Sequence, residues 1–190
     1  MSKLRLGLAL TGSYCSFGKL DAVLPLLAER FDMIPLFSER AREDSRFGPG
    51  DGWLSRLEAV CGRDAVTTIR EAEPLGPANA IDVLAVVPCT GNTLGKLSHG
   101  ITDTVVTMAA KGHLRNGKPL LLGISTNDGL GASAENIGRL LNRKNVYFVP
   151  FGQDDPLNKP ASLSLDYGQI IPAAEAAWEG RQLQPPLLRL

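Results

Sequence analysis

The sequence predicts an α/β fold: a Rossmann-like, doubly wound parallel sheet in a three-layer αβα arrangement, built as a single domain. Three observations carry this. Short continuous apolar runs recur at residues 4–10, 33–37, 81–87, 120–124 and 146–149, the pattern of strands covered on both faces. Stretches with apolar residues at helical spacing alternate with them from end to end. The runs end in Thr11-Gly12-Ser13, Ser38, Pro88-Cys89-Thr90-Gly91 and Ser125-Thr126-Asn127, so polar turns collect at the carboxyl edge, where such sheets bind ligands.

Each element follows from its own residues. The start through Leu10 reads as a buried first strand, too short in apolar length for a secretory leader. Leu20, Val23, Leu24, Leu27 and Phe31 keep helical spacing, and Pro25 among them predicts a kink or a late helix start. Residues 39–52 are charged and glycine-rich and read as a long loop, followed by a short helix over 53–61. Pro74, Gly76 and Pro77 break residues 67–80, which fit no single element. The third strand is ended by Pro88, a helix over 92–99 is capped by Asn92 and stopped by Gly100, and Ile101, Val105 and Met108 lead a further helix. Asp103 sits in that helix's first turn, complementing its dipole. Ser133 caps a helix with Glu135 in its first turn, and a last helix lies near 170–179 after a proline-containing loop. The domain is expected over residues 1–182, with a tail over 183–190 whose leucines either dock on a neighbour or fray.

Composition excludes several classes. With 190 residues, 44% hydrophobic and 21% charged, the chain is too apolar for disorder, and no run reaches the roughly 18 residues that span a bilayer. Twenty basic residues balance 20 acidic ones, which argues against a nucleic-acid partner and against a membrane surface. Cys15, Cys61 and Cys89 are odd in number and lack metal spacing, which points to a reducing cytoplasm and to no metal site.

The candidate site residues lie in the strand-end turns. Gly12 allows close backbone approach to an anion, and Ser13 and the following amides can donate to a phosphate; a plain tight turn is the competing reading. Ser38 ends the second strand and either completes a monophosphate site or simply forms the turn. Pro88, Thr90, Asn92 and Thr93 form the strongest cluster, because helix capping accounts for one polar group and not for three. A P-loop is excluded by Leu20 after Gly18-Lys19, and a dinucleotide glycine fingerprint by Tyr14 and Phe17. His99 is expected at a helix end and His113 at the surface, and Cys89 reads as a buried, inert thiol.

Taken together, Thr11-Gly12-Ser13-Tyr14-Cys15, the segment from Pro88 to Asp103 and Asn127 resemble the flavin-binding, cysteine-decarboxylase-like flavoprotein superfamily. The match is strongest at Pro88, Asn92, Thr93, Lys96, Gly100, Ile101 and Asp103, and it runs to about residue 150. The resemblance implies an FMN-type cofactor at a subunit interface, with a nicotinamide nucleotide as the alternative, in homo-oligomers of trimers or multiples of them. Carried over by position, Gly12, Ser13 and Ser38 hold the FMN phosphate, while Pro88, Thr90, Asn92 and Thr93 meet the flavin or its ribityl chain. Asn127 is the one candidate for the chemistry, able to orient or donate but not to ionise.

Within the superfamily the first loop, the Ser125-Thr126-Asn127-Asp128 turn, Asp154-Asp155-Pro156 and Lys159-Pro160-Ala161-Ser162-Leu163 resemble a branch acting in sporulation. That branch implies an oxidoreductase subunit in the cytoplasm of the mother cell. It helps oxidise a dihydrodipicolinate precursor to dipicolinate and is inactive without a dehydrogenase-like A subunit. Decarboxylases of the superfamily carry a histidine before the third strand and a Pro-x-Met-Asn turn after the fourth; this chain has neither. Decarboxylation of a cysteine-containing substrate and a non-catalytic scaffold for the A subunit are the alternatives.

Overall fold

A computed structural model describes residues 3–46 and 48–188; Met1, Ser2, Arg189 and Leu190, parts of the expected first strand and tail, lie outside them. Strands β1 (Arg5–Leu10), β2 (Asp32–Phe37), β3 (Val83–Cys89) and β4 (Leu120–Thr126) pair in parallel in the order β2-β1-β3-β4. The amino-terminal half of β4 pairs in parallel with β5 (Val146–Phe148). Its carboxyl end pairs antiparallel with β7 (Leu163–Leu165), which pairs with β6 (Phe151–Gly152).

Strand alternation builds the two cores. Leu6, Leu8 and Leu10 of β1 and Val83, Ala85 and Val87 of β3 face one core. Helices α1 (Tyr14–Asp21), α2 (Leu24–Arg30), α3 (Gly50–Cys61) and α8 (Ile170–Trp178) cover it. Ala9, Leu84, Val86 and Cys89 face the other, under α4 (Ile69–Ala72), α5 (Gly91–His99), α6 (Val105–Arg115) and α7 (Ser133–Leu141). This is the doubly wound, single-domain sandwich expected. Among the described residues no helix is long and apolar enough to cross a membrane.

Several expectations are corrected. Pro88 does not end β3: the strand continues to Cys89 through a bulge, the β3–β4 register slipping by one residue between Val86 and Cys89. That slip is why Cys89 shares a face with Val86 rather than opposing it. Pro25 sits at the second position of α2, where its missing amide costs nothing, so the helix starts late rather than kinking. Residues 39–52 are not one long loop. Ser38 caps a single 3-10 turn, Glu39–Arg42, and α3 begins at Gly50, three residues before Trp53. Gly50 permits this, since a Cβ there would lie 2.1 Å from the Arg42 carbonyl oxygen. The proline-containing loop holds the β6–β7 hairpin. Ser133 is inside α7 and gives no cap, and Asp103 lies before the α6 cap, Thr104, paired with Lys96 at 2.8 Å.

Candidate functional site

The carboxyl ends of β1 to β4 meet in a set of loops tied by hydroxyls. The buried Thr11 side chain donates to the Pro88 carbonyl (2.7 Å) and accepts from the Thr90 amide (3.1 Å), clamping the first loop to the third. The Tyr14 hydroxyl donates to the Arg40 carbonyl, tying the first loop to the second. Burial, with Glu43 adding to it, pushes the Tyr14 phenol pKa upward against Arg40, so this donor keeps its proton. The Ser13, Ser16 and Ser125 hydroxyls contact one another at 2.9, 2.9 and 2.6 Å, joining the first loop and α1 to the end of β4. Behind them the buried Tyr167 hydroxyl has no partner in hydrogen-bond geometry among the described residues. Burial raises its pKa, and Ser16 and Ser125 beside it only partly offset this.

Two cavities open here. The larger, about 420 Å³, includes Ser13, Ser16, Lys19, Ser125, Asn127 and Lys159 in its lining. The smaller, about 330 Å³, includes Thr11, Ser38, Asn92, Thr93 and Thr104. Both are lined by Gly12, Tyr14 and Thr90, so they meet at the crevice between β1 and β3. That crevice is where the strand order reverses, the topological switch point of the sheet.

The expected residues therefore divide. Gly12 and Thr90 border both cavities, Ser13 and Asn127 only the larger, and Ser38, Asn92 and Thr93 only the smaller. Ser13 and Ser38 do not share a wall, and Pro88 is buried, lines neither cavity and contributes through its carbonyl. Thr90, not Asn92, caps α5: its hydroxyl accepts from the Thr93 amide (3.3 Å) and contacts the Thr93 hydroxyl (3.1 Å). Asn92 is thereby left exposed on the cavity rim. Gly91 is explained by packing, since a Cβ there would come within 2.7 Å of Ser133 Oγ and 2.9 Å of Thr126 Oγ1. Asn127 Oδ1 accepts from Ser162 Oγ at 3.4 Å.

Other residues come to the site that were not among the candidate site residues. Ser16 and Lys19 arrive because they lie three residues apart on the side of α1 that borders the cavity, and Asp154, Lys159 and Ser164 because the β6–β7 hairpin folds back along β4. The Cys89 thiol is fully buried, and burial drives its pKa far above the ordinary thiol range. His113, expected at the surface, is buried 29 residues along from Leu84, its Nε2 2.8 Å from Pro119 O and 3.2 Å from Leu84 N. Neither histidine lines either cavity.

A family model described as flavoprotein matches residues 1–168. This chain belongs to the flavoprotein family. It is 41% identical over 189 residues to the B subunit of dipicolinate synthase from Bacillus subtilis (strain 168), with 97% of this chain and 93% of that one covered. The crystal structure of the dipicolinate synthase B subunit from Bacillus halodurans has a TM-score of 0.89 and 37% identity, over 100% of this chain and 99% of that one. The FMN-dependent cysteine decarboxylase SpaF has a TM-score of 0.64 at 20% identity, over 94% and 98%, a likeness of fold alone. The resemblance read from the strand-end motifs up to about residue 150 thus extends across the chain.

Proposed function

We propose that this chain is the B subunit of a dipicolinate synthase, a flavoprotein oxidoreductase component that helps oxidise a dihydrodipicolinate precursor to dipicolinate during sporulation. It would do so in the mother-cell cytoplasm, with the A subunit of dipicolinate synthase as its partner. The observation that carries the reading is the pair of cavities meeting at Gly12 and Thr90 on the sheet's switch point, in a chain so similar to named B subunits.

The residues present fit FMN. The smaller cavity offers the hydroxyls of Ser38, Thr90, Thr93 and Thr104, the Asn92 amide and the amino-terminal end of α5, a donor set suited to a phosphate monoester. Gly12 has no side chain to fill the seam. In this reading Ser38, Thr93 and the amino-terminal end of α5 hold the phosphate end, Asn92 meets the ribityl chain, and Gly12 and Thr90 meet the flavin at the seam, while Ser13 faces the substrate side. Bound FMN would supply the two-electron acceptor for a hydride. Asn127, whose oxygen accepts from Ser162, orients the substrate, and the proton shed on aromatisation passes to Asp154, the one carboxylate among the described residues lining the larger cavity, or to solvent. The absence of a histidine from both linings speaks against decarboxylation. Assembly as a homo-oligomer, in trimers or multiples of them, is in keeping with Ile101, Leu130 and Trp178 being about half exposed, at 47%, 55% and 46%.

The test is the visible spectrum of the purified chain and a thermal melt with added FMN, followed by turnover with and without the A subunit. Flavin bands, or a rise of about 5–10 °C at roughly 100 times the dissociation constant, are expected, with turnover only when the A subunit is added. A shift with a nicotinamide nucleotide and none with FMN would replace the cofactor. Turnover equal in the two cases would overturn the dependence on a partner.

A further inference from the structure

The larger cavity has a charge pattern that the cofactor reading leaves unexplained. Its lining brings Lys19 from α1, Arg46 from the turn after β2 and Lys159 from the β6–β7 connection, against one carboxylate, Asp154. Neither the Lys19 nor the Lys159 ammonium has a hydrogen-bond or ion-pair partner among the described residues. Some other cations are paired: Arg56 holds Asp21, Arg63 holds Asp32 and Lys96 holds Asp103. Two unpaired ammonium groups from elements 140 residues apart, 19 and 159, converge on one polar space with the Ser13, Ser16 and Ser125 hydroxyls. The Asn127 oxygen there accepts from Ser162 (3.4 Å), and neither of its N–H donors has a partner among the described residues.

We propose that the larger cavity is a dicarboxylate subsite, in which Lys19 and Lys159 each pair with one carboxylate of a pyridine-2,6-dicarboxylate skeleton and Asn127 and the serine hydroxyls donate to the remaining oxygens. This rests on the synthase reading above. It places the substrate ring at the seam of Gly12, Tyr14 and Thr90, next to the smaller cavity, and it makes the second carboxylate the feature that the protein selects. Two lysines are point charges that tolerate differing carboxylate orientations, as a ring changing from puckered to planar requires.

The test is calorimetric binding of dipicolinate and of picolinate, which lacks one carboxylate, to the full-length chain saturated with FMN. Wild type and the variants Lys19→Met and Lys159→Met are compared, with FMN affinity measured in parallel. Wild type is expected to prefer dipicolinate by roughly tenfold or more, each variant to weaken dipicolinate by roughly 10- to 100-fold, and the preference to collapse towards unity in both. FMN affinity should be unchanged. In the assembled synthase each variant should raise KM more than it lowers kcat. Variants that bind dipicolinate as wild type does would overturn the subsite. Wild type that binds FMN but not dipicolinate would overturn it too, while leaving the cofactor reading intact; failure to bind either would overturn both.

Discussion

The two ends of one sheet spend their polar groups in opposite ways. At the amino-terminal end, Asp82 accepts from the Arg5 amide (3.0 Å), Nε (3.1 Å) and Nη2 (2.6 Å) and lies 3.5 Å from Lys118, which also donates to the Ile81 carbonyl. Burial would raise the Asp82 pKa, but the Arg5 hydrogen bonds and the charges of Arg5 and Lys118 outweigh it and hold the carboxyl below its ordinary range. At the carboxyl end, among the described residues, two ammonium groups stay unpaired, hydroxyls meet around open space and a tyrosine hydroxyl has no partner. The strands are of the same apolar kind throughout, so the difference lies in the turns. One end uses its charges to hold strands together; the other keeps donors available for ligands.

The comparison sharpens first with pH. Burial, with Lys118 adding to it, lowers the His113 pKa from 6.5 to about 4, against Pro119 and Asp82. Between those values the unfolded chain binds a proton that the folded chain refuses. Stability is therefore full above about pH 6.5 and falls as pH drops towards about 4, by about 3 kcal/mol at most. Denaturant melts across that range should show this slope, and His113→Gln should flatten it. Next, Asp82→Ala strands Arg5 and Lys118, whose side chains are 38% and 16% exposed, and should cost about 2 kcal/mol, read as a melting point about 4–8 °C lower with FMN affinity unchanged. At the other end Asn92→Ala should do the reverse: FMN binding weaker by roughly 5- to 10-fold, and a melting point unchanged within a degree or two. The smallest effect is chemical. In the folded protein a thiol reagent should label the exposed Cys15 and spare the buried Cys89, as peptide mapping would show.

How much was legible follows from the length of each signal. The strands β1, β3 and β4 have six or seven residues and each holds a continuous run of at least five without a charged or hydroxyl side chain, long enough to read as doubly covered. Strands β6 and β7 have two and three residues, too few for any period, so Lys159 and Ser164 could not be assigned to the site. Thr90 and Asn92 are both capping residue types two positions apart, and only geometry separates the cap from the rim residue. His113 had a usable signal. Val105, Val106, Ala109, Ala110 and His113 fall on one helical stripe, and that stripe is the buried face of α6. Gly12, Ser13, Ser38, Thr90, Asn92 and Thr93 were all found as cavity residues, but the division of Ser13 from Ser38 depends on how the first loop turns between Thr11 and Tyr14.

Above all, the seam at Gly12 is where ligands are expected to meet the fold. A Cβ there would stand 3.4 Å from the Arg40 Cβ and carbonyl oxygen, on the shared wall of both cavities. The direct measurement is an FMN titration, followed by quenching of flavin fluorescence, of wild type and Gly12→Leu, with a melt of each as the folding control. Saturable quenching at one FMN per chain in wild type, lost in a variant that still melts within a few degrees of it, is the predicted result. Equal FMN affinity in the two proteins, or no quenching in wild type, would contradict it.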